Sequence, residues 1–385
     1  SLFASSSYKT NDSTRGINLM ESEFFYLSLI PENYEVRVGV SGSGIDMDLP
    51  WLQPFLYENP NEIPNNSIDD DNSGIIDDVY GGSLVRAIES SPTNEMSDLS
   101  NLDYGHETPI SSIIASSVGD PDYPSLFGVS FTPDKIKIIP IRFMDSGSWD
   151  EQKIWYINYA VSRNVHIINA SHGFGGGVTQ LSQAVHDAYE KLIATGVTIV
   201  ASAGNTQSFL QQYPCAYDET ICVGGMTYEK EFAQGSSWGF NDFMAYKKYV
   251  NVLSKDGAMY WQSNGTSFSA PQITAAIAKI MSYTGNYDRD YSYNLLKKHA
   301  LPLVGKESDF SGNVSDAGYG YIDFKSLAEE FVTIHTKNVQ HPDNENIVYQ
   351  IVYSTDKASG NFYKGFIRYV FVNGTRFSLY KELEI

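Results

Sequence analysis

The run Asn264-Gly265-Thr266-Ser267-Phe268-Ser269-Ala270-Pro271 leaves this chain little freedom locally. Gly265 permits a tight turn, and proline is tolerated inside a helix only in its first turns, where its missing N–H would be unpaired anyway. The segment therefore reads as a turn that enters the apolar helix Gln272-Ile273-Thr274-Ala275-Ala276-Ile277-Ala278. Ser267 then presents its hydroxyl at the positively polarised end of that helix, beside backbone that a ligand can approach closely. A capping serine at an ordinary helix start explains a bare Gly-x-Ser. Eight residues in this order are far more restrictive.

Three further segments narrow the reading. Gly105-His106-Glu107-Thr108-Pro109-Ile110 places a histidine at the entry to a helix. Ala201-Ser202-Ala203-Gly204-Asn205 follows the apolar strand Gly196–Val200, and Val165-His166-Ile167-Ile168-Asn169-Ala170 runs into Ser171-His172-Gly173. Together with the serine turn, these segments resemble the motifs of the subtilases, the subtilisin-like serine proteases, from about Gly16 to Leu327. The resemblance implies a serine endopeptidase with Ser267 as nucleophile, His106 as general base and Asn205 supplying an oxyanion-hole amide. It also implies that Ser171, His172, Gly173 and Ala201, Ser202, Ala203, Gly204 line a cleft and pair with an extended peptide substrate.

One position departs from the family. Subtilases carry the triad aspartate at the end of the first core strand, which here reads Val38-Gly39-Val40-Ser41-Gly42-Ser43-Gly44-Ile45-Asp46. Registered on Gly44-Ile45, the aspartate position is Gly42. A triad carboxylate fixes the histidine tautomer and stabilises the imidazolium, and disabling it lowers kcat by about 10⁴. Three explanations stay open: another group (Asp46, Asp48, Asp103 or a water) fills the role; the chain is a pseudoprotease that binds a protein or peptide; or the glycine is an introduced inactivation. Restoring aspartate at Gly42 is expected to raise activity. Glu107 replaces the small residue that usually follows the histidine, and is expected to raise the histidine pKa or narrow the cleft.

The 385 residues carry a formal net charge of −20, which argues against nucleic acid as partner. No apolar run approaches the roughly 20 residues of a membrane span, and Ser1-Leu2-Phe3-Ala4-Ser5 does not read as a signal peptide, so a processed form is expected. Cys215 and Cys222 flank Ala216–Ile221. They read either as two buried thiols or as a local disulfide, and the second implies a secreted or periplasmic setting. Asp69-Asp70-Asp71-Asn72-Ser73-Gly74-Ile75-Ile76-Asp77-Asp78 resembles the first half of a calcium loop, with Asp69, Asp71, Ser73, Asp77 and Asp78 as candidate Ca²⁺ ligands; a solvated acidic loop is the alternative.

Short apolar strands alternating with helices predict an α/β fold, a doubly wound parallel sheet flanked by helices. The expected organisation is an N-terminal arm over 1–35, a peptidase domain over 36–331 and a small β-rich domain over 332–385. In the last, Asn373-Gly374 between apolar runs reads as a type I′ hairpin. That domain is expected to dock on the rest, with packing or partner binding as its role.

Overall fold

The computed structural model describes residues 22–84, 106–115, 131–144, 148–174, 181–253 and 260–383. Its centre is a largely parallel sheet whose middle strand is β1 (Val36–Gly42). On one side of β1 lie β3 (Ile136–Arg142) and β2 (Gly82–Ser83). On the other lie β4 (Ile167–Ala170), β5 (Thr198–Ser202), β6 (Thr220–Met226), β8 (Phe243–Tyr246), β13 (Tyr321–Ile322) and β11 (Ala300–Leu301). Pairing is parallel from β2 to β13; β11 is antiparallel. Two short strands, β7 (Glu231–Phe232) and β12 (Gly305–Lys306), branch from β6.

Helices cover both faces, which is why these strands read as almost unbroken apolar runs. On one face, α1 (Glu107–Ile114) packs with α4 (Ala270–Thr284), which is buried from Ala270 to Ser282. On the other face, α2 (Trp149–Ser162) and α3 (Gln183–Ile193) enclose Tyr156, Tyr189 and Leu192. Ser148 and Glu151 form a reciprocal capping box at the start of α2. Gly285, in the left-handed region at φ 66°, ends α4. Two further helices, α5 (Arg289–Lys298) and α6 (Phe324–Ala328), follow.

Since β2 and β3 follow β1 on one side and the chain then crosses to β4 on the other, the strand order reverses at β1. In open α/β sheets, a crevice forms at such a switch point beyond the carboxyl ends of the strands. Gly42, Ala170 and Ser202 are those carboxyl ends.

The remaining strands are antiparallel. A two-stranded ribbon, β9 (Lys248–Leu253) and β10 (Tyr260–Asn264), feeds the serine turn. A separate four-stranded sheet comprises β14 (Val332–His341), β15 (Asn344–Asp356), β16 (Phe362–Val372) and β17 (Thr375–Glu382). Asn373 and Gly374 both have positive φ, 49° and 77°, as a type I′ turn requires. This sheet shares core with the rest: Val352 and Phe366 join the main apolar cluster, and Phe366 meets Phe25 edge-on at 5.5 Å. Lys279 of α4 and Glu32 form a buried ion pair nearby.

Candidate active site

The serine turn is fixed before it reaches the helix. Thr266 N–H donates to Asn205 Oδ1 at 2.9 Å, the Thr266 hydroxyl donates to the same oxygen at 3.3 Å, and Gly204 N–H donates to Thr266 Oγ1 at 3.1 Å. With Oδ1 so engaged, the Nδ2 group is the end of the Asn205 amide that can donate to a ligand. Ser267 and Ser171 are clamped reciprocally: the Ser171 hydroxyl donates to Ser267 O at 2.7 Å, and the Ser267 hydroxyl to Ser171 O at 3.3 Å. Behind them, Asn169 Nδ2 donates to Ser171 Oγ at 2.9 Å, and the Thr274 hydroxyl to Asn169 Oδ1 at 2.9 Å. Helix α4, strand β4 and the serine turn thus form one hydrogen-bonded unit.

His106 caps α1, and Glu107 is the helix's first residue. The imidazole meets Phe268, the residue after Ser267, edge-on with ring centroids 5.9 Å apart. Its Nδ1 lies 2.8 Å from Glu107 Oε1. The other carboxylate oxygen accepts the Ser43 N–H at 2.8 Å and the Ser43 hydroxyl at 2.6 Å. Glu107 is 1% exposed, so its carboxylate lies beneath the ring instead of narrowing the cleft. Burial disfavours its charge, but the His106 and Ser43 hydrogen bonds outweigh that and hold its pKa below the usual carboxylate value. At the first turn of a helix the dipole also favours a negative charge. An ionised carboxylate only accepts, so Nδ1 carries the proton and Nε2 keeps a lone pair. Burial opposes the imidazolium, yet Glu107 prevails and the His106 pKa is raised, as the sequence led us to expect.

The space that Glu107 occupies is the end of β1. A Cβ on Gly42 would lie 2.0 Å from Glu107 Oε1 and 2.2 Å from its Cδ. An aspartate there would have to displace the Glu107 carboxylate from its place, a condition on the expected gain that the sequence did not show. Asp46 Oδ1 accepts the Asp48 N–H, while the histidine's partner is Glu107. Asp103 lies outside the described residues.

The cleft segments divide. Gly173 is exposed, and among the described residues none hydrogen-bonds its backbone. His172 turns inward: Nε2 lies 2.8 Å from Ser41 Oγ, the ring packs among Phe143, Tyr156 and Phe174, and burial pushes its pKa down to about 4. Its side chain thus belongs to the core. Ala201 and Ser202 pair within the sheet as part of β5, Ala203 N–H is taken by Val223 O, and Gly204 O accepts from Ser237 N–H. These groups are spent inside the protein, so Ala201 to Gly204 offer a substrate less backbone than the motif suggested. Sequence reading missed Gln212. Its buried amide donates to Ser202 O at 2.8 Å and lies against both Gly173 and Gly204, within 2.4 and 3.1 Å of where their Cβ atoms would be.

Comparison with known proteins places this geometry. The profile of the subtilase family, peptidase S8, matches residues 33–321. The chain belongs to the subtilase family. It is 32% identical over 259 residues to subtilisin amylosacchariticus of Bacillus subtilis subsp. amylosacchariticus, covering 64% of this chain and 55% of that protein. It is 28% identical over 233 residues to the major intracellular serine protease of Bacillus subtilis (strain 168), covering 57% and 68%. To subtilisin-like protease 1 of Plasmodium berghei (strain Anka) it is 25% identical over 327 residues, covering 77% of this chain and 50% of that protein. The chain thus spans about half the length of two of these three relatives. In fold it resembles the prenylagaramide maturation protease PagA (TM-score 0.56, 16% identity, 80% of this chain and 98% of that one) and a lanthipeptide protease (TM-score 0.56, 18% identity, 82% and 99%).

The acidic loop of this subtilase is arranged differently from an EF-hand. Glu62, Asp69 and Asp71 bring carboxylate oxygens within 4.8 Å of one another. Ser73 donates its N–H to Asp69 and Asp71 but turns its hydroxyl to Ile75 O. Asp77 accepts the N–H groups of Asn66 and Ser67, and Asp78 accepts from Arg163 and Tyr159. Asp77 and Asp78 are therefore engaged elsewhere, and Ser73 contributes no converging oxygen; Glu62, which precedes the loop, takes their place. Arg163 also pairs with Asp71 at 2.5 Å. Glu62 Oε2 is buried and has no hydrogen-bond partner among the described residues. Burial and then the charges of Asp71, Asp69 and Asp70 raise the Glu62 pKa, despite a hydrogen bond from Asp71 N–H. An orphaned oxygen amid like charges fits a bound cation. Cys215 and Cys222 are joined by a disulfide, with Cα atoms 4.9 Å apart. Among the described residues no helix is long and apolar enough to cross a membrane.

Proposed function

We propose that this subtilase is a working serine endopeptidase. The observation that carries the reading is the buried, hydrogen-bonded carboxylate on His106 Nδ1, which leaves Nε2 basic in a ring that packs against Phe268 of the serine turn. In the reaction the Ser267 hydroxyl exchanges Ser171 O for His106 Nε2, an adjustment common between free and substrate-bound sites. Oγ attacks the scissile carbonyl as its proton passes to Nε2. The Ser267 N–H and Asn205 Nδ2 receive the oxyanion, which develops where these donors are already fixed. Collapse breaks the C–N bond, and the imidazolium gives its proton to the leaving amine. Water, deprotonated by the same nitrogen, then releases the acyl group and regenerates Ser267.

Gly173 offers its backbone to an extended substrate strand, and an unstructured peptide is the substrate class that suits it. The alternative, an impaired site retained for peptide binding, drew its support from a histidine without a carboxylate, and Glu107 removes that support. A serine-directed fluorophosphonate read by intact mass tests the proposal. One adduct that disappears in Ser267→Ala, together with cleavage of casein, is expected; a chain that neither labels nor cleaves is not a protease.

Glu62, Asp69 and Asp71 would hold a structural Ca²⁺, whose role would be to neutralise their repulsion. The disulfide supports an oxidising compartment, hence a secreted or periplasmic setting. For the C-terminal sheet, the shared core around Phe366 supports a packing role.

A further inference from the structure

Resting on the protease reading, we infer that Glu107 is the residue that positions His106, and that residue 42 is glycine in order to admit it. The carboxylate of this triad comes from the start of helix α1 instead of the end of strand β1.

Three observations carry the exchange. First, Gly42 has no conformational need to be glycine. Its φ is not in the left-handed region, and it pairs with Arg142 as an ordinary strand residue. What it provides is space, because a Cβ would fall 2.0, 2.2 and 2.9 Å from Oε1, Cδ and Cγ of Glu107. Close-packed interiors do not absorb overlaps of that size without moving the intruded group. Secondly, the carboxylate is fully engaged. Nδ1 of His106 takes one oxygen, and the N–H and hydroxyl of Ser43 take the other, so a buried charge is held by three donors from two segments. Thirdly, the next residue is the one that grips it: Ser43 follows Gly42 directly, so the strand end that gives up its own side chain supplies the anchor for the replacement.

The consequence is mutual exclusion. A side chain at 42 and the Glu107 carboxylate cannot share the site, so each single change should harm and a paired change should partly repair.

The experiment measures kcat, KM and pH profiles of unstructured-peptide hydrolysis for the Gly42→Ala, Gly42→Asp, Glu107→Gln, Glu107→Ala and Gly42→Asp/Glu107→Ala proteins, with Ser267→Ala as control. Glu107→Gln and Glu107→Ala are expected to lower kcat by about 10³ to 10⁴ with little change in KM. The acid limb of kcat/KM in Glu107→Gln should move to lower pH, because the imidazolium loses its counter-charge. Gly42→Ala should lose at least about tenfold in kcat, since one methyl group displaces the carboxylate. Gly42→Asp alone should be impaired, and the double variant should exceed Glu107→Ala by at least about tenfold. A Glu107→Gln protein with wild-type kcat and an unmoved acid limb would overturn the positioning role. A Gly42→Ala protein with wild-type kcat, or a double variant no better than Glu107→Ala, would overturn the exchange. If Ser267→Ala retains hydrolysis, the protease reading itself falls, which is a separate result from any of these. Melting curves identify variants that do not fold, and Glu107→Gln, which keeps shape and hydrogen-bonding reach, decides the matter if the alanine variants fail.

Discussion

Asn205 has two jobs at its two ends, and a single atom exchange separates them. Oδ1 holds the serine turn through Thr266 N–H at 2.9 Å and the Thr266 hydroxyl at 3.3 Å. In the proposed mechanism Nδ2 donates to the oxyanion. Asn205→Asp keeps an acceptor for Thr266 and replaces the donor with a carboxylate oxygen. Loss of one oxyanion donor lowers kcat by about 10² to 10³, or roughly 2.7–4 kcal/mol of transition-state stabilisation. A negative charge opposite the developing oxyanion adds to this, so a kcat loss of at least about 10³ is expected with KM changed only slightly. Asn205→Ala removes both jobs and should in addition lower the melting temperature, whereas Asn205→Asp should not. The assay is steady-state cleavage of a fluorogenic unstructured peptide beside thermal melts of the same samples. If Asn205→Asp raises KM while leaving kcat intact, Nδ2 contacts the substrate in its ground state, and the assignment of the oxyanion donor is refuted.

Activity should rise with pH through the His106 pKa, which Glu107 holds above the usual 6.5, so the acid limb of kcat/KM is expected above that pH; a limb at or below 6.5 contradicts the ion pair. The stability supplied by the same contact runs the other way: it is complete below the unfolded histidine value and is lost as pH rises through the raised folded one. At the acidic end, the lowered Glu107 pKa contributes stability that is present above the usual 4.5 and is lost as pH falls through the folded value. Saturating Ca²⁺ at about 100 times its dissociation constant should add about 2.7 kcal/mol of stability, and Glu62→Gln should abolish the increment; identical melts in calcium and in chelator refute the site. Gln212→Gly should open the space beside Gly173 and Gly204 and raise kcat/KM for peptides with a large apolar residue before the scissile bond by about 10- to 200-fold, and an unchanged preference would show that the amide does not border the substrate.

The parts of the site that sequence made legible are those set by short local rules. Ser267, His106 and Asn205 sit on turns whose chemistry lies within a few residues, and the parallel strands announce themselves as apolar runs. Glu107 was read in part: its effect on the His106 pKa was expected, its place beneath the ring was not. Neighbouring helical residues do not ordinarily face one another, and only because His106 caps the helix and β1 ends in an empty glycine can Glu107 fold back beneath the ring. The acidic loop was legible in part, since Asp69 and Asp71 converge as read, and the rest was hidden for a related reason. Arg163, far along the chain on the end of α2, draws Asp78 away, and Glu62 enters from outside the motif. Strand β14 escaped notice because Thr333–His341 is mostly polar and exposed, the pattern of an edge strand. Gln212 carried no signal at all in sequence, since its meaning lies in the two glycines it lies against.

Because His106 and the carboxylate that steadies it are consecutive residues at one helix start, base and counter-charge ride on the same rigid body. A triad assembled from three separate segments can be detuned at two joints, between strand and helix and between helix and serine turn. Here a sliding of α1 carries imidazole and carboxylate together, and stretches the hydrogen bonds that Ser43 and Asp46, just beyond β1, make to Glu107 and Thr108. Only the gap between His106 and the serine turn is left sensitive to such motion. Cleft opening and closing would then act on catalysis as a single mechanical coordinate, the travel of α1 relative to α4.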